Sequence, residues 1–197
     1  RADSLHEDVA AVFFDANGDG HPDLYVASGG NEFWGEAEAL RDRLYLNDGV
    51  GGFTRADGAL PEIYGNSGAV AAGDFDGDGQ VDLFVGGRVV AREYGRIPRS
   101  YLLRNEGGRF VDVTETVAPG LAEVGMVTSA AWIFEEGQPA ELVVTGEWMP
   151  VKLYRMEEGQ LQDRTAEMGL AGSEGWWNHV AAVDLNGDGR RDLVLGN

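Results

Sequence analysis

The chain has 197 residues, of which 43% are hydrophobic, enough for one domain with a sizeable core and too many for a disordered chain. Its formal net charge of −19 disfavours nucleic acid as a partner, since the phosphate backbone is also negative. No run of 18 apolar residues predicts a membrane span, the polar start "RADSLHEDVA" has no signal-peptide character, and the lack of cysteine excludes disulfides.

The first predicted unit, residues 8–57, contains four strands. The strand "DVAAVFF" leads into the acidic loop "DANGDGHPD", and the apolar strand "DLYVAS" follows the loop. A short helical turn is predicted in "GEAEALRDR", from Gly35 to Arg43. The segment "RLYLNDGVGGFTRAD" then predicts a hairpin, because a glycine-containing turn separates two strand-like runs.

The same order recurs in residues 67–116, 125–167 and 176–197. The second unit has the loop "DFDGDGQVD", and the last has "DLNGDGRRD" and ends at Asn197 after two strands. In the third unit the matching turn, near residues 133–141, keeps Glu135, Glu136 and Glu141 but has lost the ligand spacing, as a one-residue shortening would cause. We therefore expect this repeat to be free of metal.

The three acidic loops place oxygen donors at the same five positions, the pattern expected for Ca²⁺, which takes six to eight oxygen ligands. A solvated acidic turn is the alternative, but the repetition of every position argues against it. An EF-hand is excluded, because strands flank the loops and position 12 is Val26, Val85 or Leu195 instead of Glu. In loop order, the predicted ligands are Asp15, Asn17, Asp19, the His21 carbonyl and Asp23; Asp74, Asp76, Asp78, the Gln80 carbonyl and Asp82; and Asp184, Asn186, Asp188, the Arg190 carbonyl and Asp192.

The spacing of the units predicts an all-β fold, a β-propeller of four-stranded blades. The loops begin at residues 15, 74 and 184, a period of about 55 residues once the metal-free repeat is counted. An alanine pair precedes each turn, as expected for an innermost strand that crowds the propeller axis. About three and a half blades are present, so we expect a partial propeller that pairs with further blades or with another copy, because closure needs at least four blades.

The strand order predicts a candidate ligand site on the face opposite the metal loops, where the long connections "GGNEFWGEAEALRDR", "GGRVVAREYGRIPRS" and "GSEGWWNHV" meet. Guanidinium groups there would bind carboxylates or acidic glycans, and indole rings would stack on sugars. The alternative is that the arginines pair with neighbouring acids and the tryptophans pack between blades. The candidate residues are Arg88, Arg92, Tyr94, Arg96, Arg99, Trp176 and Trp177.

The loops and the strands after them, "DLFVGG" and "DLVLGN", resemble the FG-GAP/VCBS repeats of integrin-α-like propellers, although "VGG" and "LGN" stand where GAP is usual. The segments "YVASGGNEF", "TGEWMP" and "GWWNHVAAVDLNGDG" resemble bacterial surface proteins of the ASPIC/UnbV, cartilage acidic protein-like group. The resemblance implies Ca²⁺ at the three matching loops and an extracellular or cell-surface setting. It implies no defined reaction.

Three functions are consistent with these features. The first is a calcium-stabilised extracellular scaffold that recognises a glycan or a protein. The second is a polysaccharide lyase or hydrolase built on a propeller, and the third is a purely structural assembly module. No catalytic set stands out, because His6, His21 and His179 lack metal or triad spacing and no GxSxG, Walker or HExxH motif occurs.

Overall fold

The computed structural model describes residues 5–197; the first four residues of the polar start lie outside the described part. The fold is all-β and forms an open succession of antiparallel sheets, the arrangement of a partial propeller. The first sheet has the strands β1 (Glu7–Phe14), β2 (Asp23–Gly29), β3 (Arg43–Asn47) and β4 (Phe53–Arg55), and the second has β5 (Asn66–Gly73), β6 (Asp82–Val89), β7 (Tyr101–Asn105) and β8 (Phe110–Asp112). The third has β9 (Met126–Ile133), β10 (Glu141–Met149), β11 (Lys152–Glu157) and β12 (Gln160–Asp163), and β14 (His179–Val183) pairs with β15 (Asp192–Gly196).

In the first three sheets, each strand pairs with its neighbours in sequence, because short turns join antiparallel strands. The first strands of adjacent sheets lie side by side, β1 against β5, β5 against β9 and β9 against β14. This crowding demands small residues. A Cβ atom built on Gly68 of β5 would come within 2.3 Å of the Val127 carbonyl oxygen of β9, so a larger residue has no room there.

The second strands of the second and third sheets, β6 and β10, are covered on both faces, which explains their unbroken apolar sequences. In β6, Leu83 belongs to the core shared with the first sheet, and Phe84 to the core shared with the third sheet. In β10, Val143 belongs instead to the core that Val180 of β14 helps to form. Three cores therefore alternate with the sheets.

Several elements depart from the four-strand pattern. The predicted helical turn from Gly35 to Arg43 is confined to a 3-10 helix at Glu38–Leu40, and β3 already begins at Arg43. A one-turn helix α1 (Thr114–Val117) and a 3-10 helix (Pro119–Leu121) follow β8. A two-residue strand, β13 (Gly175–Trp176), pairs with β10. Within residues 5–197, no helix has the length and apolar character needed to cross a bilayer.

A buried carboxylate, that of Asp42, lies just before β3. It accepts hydrogen bonds from the Tyr25 hydroxyl at 2.6 Å and from the Ser28 backbone N–H at 2.7 Å. Burial raises the pKa of Asp42 to about 6, although these hydrogen bonds and the nearby Arg43 oppose the shift. The folded protein therefore holds this proton more tightly than the unfolded chain does, whose Asp pKa is about 3.9.

This shift predicts that Asp42 contributes stability at low pH that is lost as the pH rises through about 6. In Asp42→Asn, the amide oxygen still accepts from Ser28, and the Tyr25 hydroxyl turns to accept from the amide nitrogen. Between about pH 4 and pH 6.5, we expect the unfolding free energy of the wild type to fall relative to that of Asp42→Asn by roughly 2–3 kcal/mol. Urea denaturation at both pH values measures this, and an unchanged difference would contradict it.

Candidate functional site

The three acidic loops share one backbone conformation, set by the aspartate at position 1. The Asp74 carboxylate accepts backbone N–H bonds from Gly77 at 2.7 Å and from Gly79 at 2.9 Å. Both glycines have left-handed φ angles, 79° and 87°, which residues with a Cβ rarely adopt. Asp15 and Asp184 make the same two bonds within their own loops.

In the middle loop this conformation brings three carboxylates together. Oxygens of Asp74, Asp76 and Asp78 lie within 4.8 Å of one another, close to the largest separation of two ligands at 2.3–2.6 Å from one Ca²⁺. Partial burial, followed by the charges of Asp78 and Asp74, raises the pKa of Asp76. The donor set therefore fits a hard divalent cation, whose charge would relieve this repulsion.

The first and third loops have an amide at position 3 instead of a carboxylate. The Asn17 side chain donates to the Asp19 carboxylate at 2.9 Å, and Asn186 donates to Asp188 at 3.1 Å. Hydrogen bonds from backbone amides lower the pKa values of Asp19 and Asp184. The side chains at positions 3 and 5 are thus in contact in the first and third loops, but among the described residues only the middle loop gathers three carboxylates.

At position 7 the backbone N–H groups point back into the loops. Those of His21, Gln80 and Arg190 each donate to the position-5 carboxylate at 2.8 Å. The Gln80 side chain instead accepts from the backbone N–H of Gly107, in the turn between β7 and β8. That turn and the acidic loops therefore lie on the same face of the protein.

At position 9 an aspartate, buried in the first two loops and half-buried in the third, joins each loop to its sheet. The Asp82 carboxylate accepts from the backbone N–H of Phe75 at 3.2 Å and of Asn105 at 2.8 Å. Asp23 repeats this with Ala16 and Asn47, and Asp192 accepts from Leu185. Burial raises the pKa of Asp82 to about 7, against the effect of the two backbone bonds.

An asparagine at the end of the third strand supports these loops, a role that the sequence analysis missed. The Asn105 amide donates to the Val81 carbonyl within its own sheet and to the Ala16 carbonyl in the loop of the first sheet. Asn47 occupies the matching position and donates to the Pro22 carbonyl. The repeated segments "YLND" and "LLRNE" carry this signal, but only at a single position.

The corresponding turn of the third sheet has a different structure and lacks the aspartate-rich loop. Its turn covers residues 134–140, one residue fewer than 15–22, 74–81 or 184–191. Glu141 starts β10 where Asp82 starts β6, and its carboxylate pairs with the Arg155 guanidinium at 2.6 Å. Glu135 accepts the backbone N–H of Arg191 in the neighbouring acidic loop at 2.8 Å. An arginine of the chain itself thus supplies the positive charge at this turn.

The arginines predicted on the opposite face lie there among acidic and aromatic partners. Arg88 pairs with Glu147, Arg96 with Glu93, and Arg99 with both Asp112 and Glu115. Arg92 makes no ion pair with any described residue, and its guanidinium lies 3.4 Å from the centre of the Trp34 ring. Arg92 and Trp34 line a cleft of about 660 Å³ between the first two sheets.

The predicted aromatic residues separate into two environments. Trp177 is partly buried against the third core and donates its indole N–H to the Ser173 carbonyl at 2.9 Å. Trp176 is exposed and packs edge-on against Trp148, with 5.2 Å between ring centres. The Tyr94 hydroxyl donates to Glu147 at 2.7 Å, a bond that together with Arg88 lowers the pKa of that carboxyl. Trp34, Glu147 and Trp148 were not predicted as site residues, because neither the exposure of a tryptophan nor a long-range ion pair leaves a periodic signal in the sequence.

Comparison with known proteins places the chain in a family. The sequence profile of the FG-GAP-like repeat matches residues 12–85 and 140–195, ranges that contain all three acidic loops. The unmatched part between them includes the shortened turn of the third sheet. A search of curated proteins finds no significant match, and the narrower resemblance to the ASPIC/UnbV group stays a hypothesis. FG-GAP repeats are typical of extracellular binding or scaffold domains. Since the profile covers more than half of the chain, this protein belongs to the FG-GAP-like repeat family.

Proposed function

We propose that this chain is a calcium-stabilised binding scaffold of an extracellular or cell-surface protein, and that it recognises a glycan or a protein through the face opposite the metal loops. The observation that carries the proposal is the convergence of Asp74, Asp76 and Asp78 within 4.8 Å, in a loop whose backbone geometry recurs twice.

Calcium in this scaffold acts on stability. Residues Asp74 to Asp82 include four aspartates and no lysine or arginine, so their mutual repulsion opposes the loop conformation. A bound cation removes that repulsion and joins the loop to the start of β6 through the same carboxylates. Because the chain has no disulfides, these loops are its candidate cross-links. Extracellular modules bind Ca²⁺ with Kd values of about 10⁻⁴–10⁻³ M, which extracellular calcium can saturate.

We assign ligand recognition to the face opposite the acidic loops because it exposes large aromatic side chains. It carries the connection from β6 to β7, the end of β10 and strand β13. These segments present Tyr94, Trp148 and Trp176 to solvent. Large exposed aromatic side chains are common at binding surfaces, where they supply contact area with little loss of conformational entropy. The acidic loops lie on the other face, so a bound cation would be remote from this surface.

Thermal unfolding in calcium and in EDTA tests the role of the metal. At about 5 mM Ca²⁺ we expect each site to stabilise the fold by roughly 1–2 kcal/mol, which raises the melting temperature by several degrees. Magnesium at the same concentration should raise it less, because Mg²⁺ demands a smaller octahedral shell. Identical melting curves in calcium and EDTA would contradict the proposal.

Asp76→Asn separates metal binding from folding. Since partial burial and then the neighbouring carboxylates raise the pKa of Asp76, removal of its charge should leave the apoprotein as stable as the wild type or slightly more stable. The variant should then gain less stability from calcium, by about 1 kcal/mol. Calcium titrations followed by melting temperature measure both effects. An unchanged calcium response would remove Asp76 from the ligand set.

Asp82→Asn, in contrast to Asp76→Asn, should destabilise the protein even without calcium, and it serves as the matched comparison. An amide has one acceptor oxygen, so one of the two backbone N–H groups, that of Phe75 or that of Asn105, loses its partner. We expect a loss of roughly 1–3 kcal/mol even in EDTA, the cost of a buried unsatisfied donor. Urea denaturation in EDTA measures it, and wild-type stability there would show that these bonds are dispensable.

A further inference from the structure

We propose that Tyr94, Trp148 and Trp176, here called the aromatic platform, form a binding site for a neutral saccharide chain. The inference rests on the proposed function in that it uses the same face, but it does not depend on calcium binding. It names the ligand class and the residues that contact it.

The backbone conformation at Trp148 directs its side chain toward solvent. Trp148 has a φ of 59°, which is a strained value for a bulky residue. In the pairing of β10 with β13, Glu147 lies opposite Trp176 and Met149 lies opposite Gly175, so Trp148 is one extra residue on β10. Bulges of this kind redirect side chains and are frequent beside binding and active sites.

Hydrogen bonds and ring contacts hold the platform in place. The Trp148 indole N–H lies 3.4 Å from the Tyr94 hydroxyl, which in turn donates to the Glu147 carboxylate. Glu147 is buried and pairs with Arg88 of the second sheet. Trp176 contacts Trp148 edge-on. The three rings come from three separate segments, yet the fold assembles them at one place.

The platform remains open to solvent despite its apolar character. Tyr94 is 62% exposed, Trp148 68% and Trp176 43%. No core requires these rings, because the cores of the second and third sheets are complete without them. A strained backbone that exposes an indole ring lowers stability, and a ligand that covers the ring would offset that cost.

The size and charge of the platform favour a neutral saccharide. The area of three aromatic rings suits contact with a few sugar units. A stable protein interface needs a larger area, about 800 Å² on each partner. The nearby cations Arg88 and Arg96 pair with carboxylates, and Arg92 lies over the Trp34 ring. Together with the net charge of −19, this disfavours a polyanion at the platform. The Tyr94 hydroxyl, beside the rings, is the group available to hydrogen-bond a sugar hydroxyl.

Isothermal titration in saturating calcium tests this with neutral hexasaccharides: cellohexaose, xylohexaose, mannohexaose and maltohexaose. A hexagalacturonate is the charged comparison. We expect binding to at least one neutral hexasaccharide and weaker binding to hexagalacturonate. Trp148→Gly should weaken binding of the neutral sugar by roughly tenfold or more, equivalent to about 1.4 kcal/mol. Trp176→Ala should also weaken it.

Trp148→Gly also separates recognition from a structural role. Glycine adopts the observed φ without strain, so the variant should melt at the wild-type temperature or above it. Phe53→Ala removes an aromatic ring that is 45% exposed in the first sheet, and it should leave saccharide binding unchanged.

Binding of none of the neutral sugars, or equal binding by Trp148→Gly and the wild type, would overturn the proposal. So would self-association that Trp148→Gly abolishes in the absence of sugar, because the platform would then be a protein interface. The calcium melting experiment is independent of these outcomes. Its failure would remove the metal role and leave the saccharide site standing.

Discussion

The structure depends on a carboxylate at the start of the second strand of each repeat, which is fully buried in the first two sheets. Asp82 accepts backbone N–H bonds from the acidic loop before it and from the end of β7, 23 residues further along the chain, so one side chain joins the loop, β6 and β7. Asp23 does the same in the first sheet. A carboxylate suits this position because its two oxygens satisfy two buried donors that water does not reach. The burial of the charge raises the pKa of Asp82, and the loop beside it is where a cation is expected.

The third sheet shows which part of this arrangement is variable. It keeps an acid at the same place, Glu141, but the acid pairs with Arg155 on β11. In the second sheet, the register of β6 with β7 would place Arg104 opposite Asp82, yet Arg104 pairs with Glu106. Loss of one residue from the turn thus accompanies the exchange of backbone donors for a guanidinium. The FG-GAP-like profile leaves residues 86–139 unmatched, a stretch that includes most of this turn.

The fold separates two kinds of surface because turns alternate between the faces of an antiparallel sheet. Connections between first and second strands all lie on one face, with the turns between third and fourth strands, and they collect the aspartates. Connections between second and third strands lie on the other face, with the links between sheets. There the arginines find carboxylate partners, as Arg88 does with Glu147, and the exposed rings of Trp148 and Trp176 lie beside them. A charge of −19 is therefore compatible with a mixed polar and aromatic binding surface.

Local sequence determined the strands and the acidic loops, because these features depend on spacing within about 20 residues. The repeat followed from the period of about 55 residues at which the loops recur. The interval between Asp15, Asp74 and Asp184 indicated sheets of equal size, and the shortened turn after Ile133 was visible as a gap in that pattern. Only the tertiary structure decided which charges meet. Arg88 and Glu147 are 59 residues apart, and no periodicity predicts their ion pair. The exposure of Trp148 likewise depends on a bulge opposite a strand that begins only at Gly175, and long-range pairing of this kind leaves no mark in the local sequence.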